Sequence, residues 1–177
     1  LSHEVRGSFD QGIALLKNPA GGLIVQNVTE YAKSLDIDVN EVMGYLALQE
    51  LAHARLFASV PWLMPRFEAL LGKYARGITI DMDAMEEQIR EAESIDPDSM
   101  ASAVNITKVA FPDTPEQKQA MKALENLLAL VEGWVDAVVW RAGMAHIPHI
   151  EQLREMLRRE RAIGGPAERT FESLMGM

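Results

Sequence analysis

The sequence predicts a mostly α-helical protein, and three observations carry that reading. Apolar residues recur at helical spacing through most of the chain. Glycine (12) and proline (8) are sparse and fall mainly between the apolar segments. No convincing run of apolar–polar alternation marks a strand. A length of 177 residues suits one domain. The chain is therefore read as a single domain over 1–177, with 1–19 peripheral.

The elements follow in order. From Leu23 to Leu35, the positions Ile24, Val28, Tyr31, Ala32 and Leu35 fit one helix face. Asp38 or Asn40 can cap the next segment, and Glu41 lies in its first turn, where an acid suits the helix dipole. That segment, Val39–Val60, is apolar around most of its circumference, which predicts burial. Pro61 and Pro65 bracket the following stretch, and a helix is expected over Arg66–Arg76. Residues 81–98 are strongly acidic and read as a solvated amphipathic helix on Met82, Met85 and Ile89. Asp81 and Asp83 lack the glycine and terminal glutamate of a calcium loop. Thr114, Pro115 and Gln117 form a helix start, for a helix over Pro115–Ala142 ended by Gly143. "AHIPH" is a turn, a charged helix is expected over Pro148–Ala162, and "GGP" breaks the chain before a short C-terminal helix.

Charge and composition exclude several functions. Lys plus Arg is 17 against 26 Asp plus Glu, a net charge of −9, which disfavours nucleic acid and anionic membrane as partners. The absence of cysteine excludes disulfides, thiolate metal sites and a Cys nucleophile. No apolar run approaches the ~18–20 residues that span a bilayer. No signal-peptide pattern opens the chain, so a cytoplasmic location is expected. The first residue is Leu1, and an N-terminal segment is expected to be missing. There is no glycine-rich phosphate loop and no serine elbow. The Arg–Glu pattern of 151–161 permits an oligomer, although its spacing is that of a solvated helix.

Two apolar helices carry polar groups that a plain core would reject. In "YLALQELAHARLF", Gln49 and His53 are four apart on one face, with Glu50 on a neighbouring line. In "LLALVEGWVDAVVW", Glu132 and Asp136 are also four apart, and Gly133 leaves the backbone open. Burying such groups costs several kcal/mol unless they are paired or metal-bound. The two helices can solve the problem by facing each other, with or without a metal. Pairing of Glu50 with Arg55 or Arg141, and of His53 with Asp136, would serve equally.

"QELAH" resembles the zincin motif HExxH with glutamine in place of the first histidine, and "EGWVD" resembles the second gluzincin helix. With "VPWL" after the first motif and an "IP" turn after the second, the chain is similar to the zincin-like metallopeptidase family found largely in actinobacteria. The likeness covers most of residues 20–165 and implies a mostly α, zincin-like domain with the two motif helices facing each other. It implies zinc as cofactor, His53 as second ligand, Glu132 as third, Glu50 as general base and Asp136 holding a ligand histidine. Gln49 stands where the first ligand belongs, and Trp134 stands where the family tends to have histidine. A glutamine amide is a poor substitute for imidazole on zinc. The expectation is a zincin-like homologue with a weakened or lost zinc centre, which takes a peptide or protein partner in its cleft. The alternative is an active zinc hydrolase using Glu50 as general base. His146 and His149, beside Pro148, are candidate auxiliary groups, read first as exposed turn histidines. His3 has no motif context.

Overall fold

The computed structural model describes residues 5–9, 12, 13, 20–76 and 114–163. His3, the acidic stretch 81–98 and the short helix expected after Pro166 lie outside them. The described residues form five helices: α1 (Val25–Leu35), α2 (Val39–Ser59), α3 (Leu63–Arg76), α4 (Pro115–Gly143) and α5 (Ile150–Ile163). The mostly helical expectation holds. The one extended contact among them is an antiparallel bridge between Gly7 and Leu23. The chain divides into two compact units, Leu1–Glu68 with Leu124–Met177, and Ala69–Ala123.

Helix ends follow local chemistry. α1 stops at Asp36, which adopts a left-handed conformation at φ 54°. The Asp36 and Ile37 amides then donate back to the carbonyls of Lys33 and Ala32, closing the helix end. The Asp38 carboxylate accepts from the Asn40 amide at 2.8 Å and caps α2, which begins at the next residue. Thr114 and Gln117 cap α4 reciprocally: the Thr114 amide donates to the Gln117 side chain at 2.8 Å, and the Gln117 amide to the Thr114 hydroxyl at 3.2 Å. α3 begins at Leu63, three residues earlier than the sequence predicts. Pro65 therefore lies in its first turn, where a missing N–H breaks no helical bond.

The site lies in the first unit. α2 turns Val42, Tyr45, Leu46, Gln49 and His53 inward, while Leu51 is exposed. α4 turns Leu128, Val131, Val135 and Val139 inward, and α5 turns Leu153 and Leu157 inward. Buried apolar residues at i, i+3, i+4 and i+7 fix the rotation of each helix. That rotation carries the polar residues at the same spacings into the interior.

The segment before α1 is pinned at several points. The Ile24 amide donates to the Arg6 carbonyl at 2.8 Å, and the Ser8 amide to the Gly22 carbonyl at 3.1 Å. Asn27 donates to the Val5 carbonyl at 2.6 Å. The Arg6 guanidinium lies over the Tyr31 ring and donates to Glu160 of α5 at 2.7 Å. Phe9 and Ile13 are fully buried.

Candidate functional site

His53 and Glu132 meet across the facing helices, with His53 Nε2 2.9 Å from Glu132 Oε1. The other ring nitrogen, Nδ1, donates to the Gln49 carbonyl at 2.9 Å, so the ring is held from its own helix. Phe9 stacks on it at 5.4 Å between centroids, and Phe57 lies against Phe9. The imidazole is thus fixed in direction by two hydrogen bonds and in tilt by one aromatic face.

Glu132 also faces a cation. Arg161 of α5 places Nη1 2.5 Å from Glu132 Oε2, an ion pair outside hydrogen-bond alignment. Burial pushes the Glu132 carboxyl up. The hydrogen bond from His53 and the charge of Arg161 outweigh that and hold it below the usual carboxylate range. Arg161 Nη2 lies 3.5 Å from Gln49 Oε1. The Gln49 amide donates to Tyr45 Oη at 3.0 Å, and burial pushes that hydroxyl up, keeping it neutral.

Glu50 is enclosed differently. Its Oε2 accepts from the Ser8 amide at 3.0 Å, the Ser8 hydroxyl at 2.5 Å and the Gly22 amide at 3.0 Å. Its Oε1 accepts from the Phe9 amide at 3.0 Å. Four donors around one carboxylate replace the water it gives up on burial. The approach is close enough to demand glycine: a Cβ on Gly7 would overlap the Glu50 carboxylate, 2.6 Å from its Cδ. Gly12, at φ +78°, plays the same part at Glu132, where a Cβ would come within 2.8 Å of Oε1. A pocket lined by Arg6, Phe9, Gln49, His53, Glu132 and Arg161 remains between this segment and the helices.

Asp136 does not reach a histidine. Its carboxylate takes both Arg154 Nε (2.9 Å) and Nη2 (2.7 Å), and Arg158 Nη2 at 2.7 Å. The hydrogen bond from Arg154 is the largest influence, and it holds the Asp136 carboxyl below the aspartate range. Asp136 therefore ties α4 to α5. His149 is also elsewhere: its amide and Nδ1 both lie 3.0 Å from Glu41 Oε2 in the first turn of α2. Glu41 is eight residues before Gln49, about 12 Å along a helix. His146 is exposed in the turn beside Gly143. Trp134 is partly exposed on α4.

The structure therefore brings together Gln49, Glu50, His53 and Glu132, and leaves Asp136, His146 and His149 outside that cluster. Sequence reasoning missed Arg161 and the segment Gly7–Gly12. The segment has no periodicity to read, and Arg161 ends a run of charges that looks like a solvated face. The available signal was charge complementarity, since acids at 132 and 136 on an apolar helix require cations from somewhere.

A family model for zincin-like metallopeptidases matches residues 1–177, and the chain belongs to that family. No curated protein and no solved structure compared with the chain gives a match. Zinc is the cofactor that the family implies, but the residues here do not fit it. A zinc site needs three or four N, O or S donors converging on one point. Among the described residues no three His, Asp or Glu side chains gather in that way. His53 Nε2 and Glu132 Oε1 are spent on each other, and the other Glu132 oxygen faces a guanidinium.

Proposed function

We propose that this chain is a zincin-like metallopeptidase homologue that has lost its hydrolytic zinc centre and binds a peptide or protein in its cleft instead of cleaving one. The observation that carries the reading is the state of Glu50. A general base must be free to take a proton from water at the reacting centre. Glu50 spends both oxygens on the amides of Ser8, Phe9 and Gly22 and on the Ser8 hydroxyl.

A peptide is the ligand class because the cleft belongs to a metallopeptidase family. Residues 6–8 run antiparallel to 22–24 with main-chain hydrogen bonds, and Glu50 accepts from the successive amides of Ser8 and Phe9. The pocket beside this segment, lined by Arg6, Phe9, Gln49, His53, Glu132 and Arg161, is where such a ligand would sit. The alternative, a zinc hydrolase with Glu50 as base, would require Glu50 to give up four donors and a metal to displace Arg161.

The test measures zinc content and peptide hydrolysis on the same purified chain, with Glu50→Gln beside it. The proposal expects far less than one zinc per chain and no turnover above that of the variant. Stoichiometric zinc with turnover abolished by Glu50→Gln would refute it. Saturable binding of extended peptides, read by fluorescence polarisation, would support the binding role.

A further inference from the structure

We propose that Arg161 is the cation that stands in for the metal, and that Gln49 and Arg161 are one coupled replacement. This rests on the reading that the centre holds no zinc. The positions that resemble the three zinc ligands are Gln49, His53 and Glu132, and in this structure they are joined without an ion. His53 bonds to one oxygen of Glu132, while Arg161 contacts the other oxygen and lies 3.5 Å from the side-chain oxygen Oε1 of Gln49.

The chemistry of the replacement is consistent at each atom. A buried carboxylate between two apolar helices needs a positive partner, because an uncompensated charge there is costly. Zinc would supply that charge, and here the guanidinium supplies it. Two Nη atoms on a rigid fork can reach two acceptors on different helices, as a coordinating ion would, whereas an ammonium offers a single point charge. Glutamine at 49 then has a positive reason. Its amide oxygen accepts from Arg161 Nη2, and its amide nitrogen donates to Tyr45 Oη. Histidine at 49 would have to give the guanidinium its unprotonated nitrogen, the same lone pair that zinc needs. Restoring the family's first ligand alone should therefore fail, because the cation already present opposes it. Arg161 is long enough to work from α5, where Arg154 and Arg158 already grip Asp136 of α4.

The experiment compares the parent with Gln49→His, Arg161→Met and the double variant. Zinc per chain is measured after dialysis against zinc, and melting temperature is measured with zinc and with a chelator. The expected result is that the parent ignores both additions and Arg161→Met melts several degrees lower. Gln49→His should stay metal-poor. The double variant should bind about one zinc per chain, on the order of 100-fold more tightly than Gln49→His, and melt higher with zinc than with chelator. Equal zinc affinity of Gln49→His and the double variant would overturn the proposal, as would an unchanged melting temperature for Arg161→Met. Stoichiometric zinc in the parent would instead refute the loss of the centre itself. If the double variant does not fold, Arg161→Ala with methylguanidinium decides. Recovery of melting temperature by methylguanidinium, but not by methylammonium at equal ionic strength, supports the surrogate role. No recovery, or equal recovery by both, overturns it.

Discussion

Replacing Glu50 with glutamine separates a structural carboxylate from a catalytic one. Glutamine keeps the shape but offers one acceptor oxygen where the carboxylate offers two. Oε2 takes three donors and Oε1 takes one, so the amide oxygen should turn to the crowded side. The new NH2 then points at the Phe9 amide, leaving a buried donor unsatisfied at a cost of about 1–3 kcal/mol. The three remaining hydrogen bonds change from charge-assisted to neutral, losing roughly 1 kcal/mol each. Relief of the carboxylate's desolvation offsets part of this, so a net loss of about 2–4 kcal/mol is expected. For a chain of this size that is a fall of about 4–16 °C in melting temperature. Thermal unfolding followed by circular dichroism, with urea unfolding as a second probe, measures it. A catalytic base left idle behaves oppositely, because removing a poorly compensated charge from an active site usually leaves stability unchanged or raises it. A melting temperature equal to or above that of the parent would refute the assignment of Glu50 to holding the N-terminal segment.

The remaining predictions concern the same segment and its supports. Gly12→Ala combines a positive φ with a Cβ 2.8 Å from Glu132 Oε1, so it should cost at least ~1–2 kcal/mol, whereas Gly22→Ala, with nothing within 4 Å, should be near neutral. Urea midpoints compare the two. Phe9→Ala removes a fully buried ring stacked on His53 and should cost about 3–5 kcal/mol, with faster proteolysis of the N-terminal segment as a second readout. Asp136 titrates lower in the folded chain than unfolded, so its contribution is complete above about pH 4 and is lost as the pH falls through its folded value. Asp136→Asn should lower stability by about 1–3 kcal/mol at neutral pH and flatten the acid limb of the stability profile, which denaturation at a series of pH values would show.

The helices were legible because their signals are local. The cap at Asp38, the reciprocal cap of Thr114 and Gln117, and the apolar spacing of α2 and α4 each act within one or two turns. Pro65 misled only because its position within the first turn, not its presence, decides whether a helix tolerates it. The meeting of His53 with Glu132 was legible at one remove, from two buried polar positions that needed partners. The partners of Glu50 were not. Arg55 and Arg141 were reasonable candidates by charge, yet the carboxylate is satisfied by backbone amides, which every residue carries and no sequence marks. Asp136 shows the same limit in another form. It needed a cation, and the choice of Arg154 and Arg158 depended on how α5 lies against α4.

The contact between Arg6 and Glu160 spans 154 positions along the chain. During vectorial synthesis the N-terminal segment leaves the ribosome long before its anchor on α5 exists. Until then α2 has been made with His53 and Gln49 turned toward Glu132 and Arg161, which are still missing. Closing so long a loop is entropically slow, and the delay leaves apolar helix faces exposed to aggregation. The nascent chain should therefore depend on chaperone protection until α5 has emerged, and the pocket should be among the last parts of the molecule to take shape.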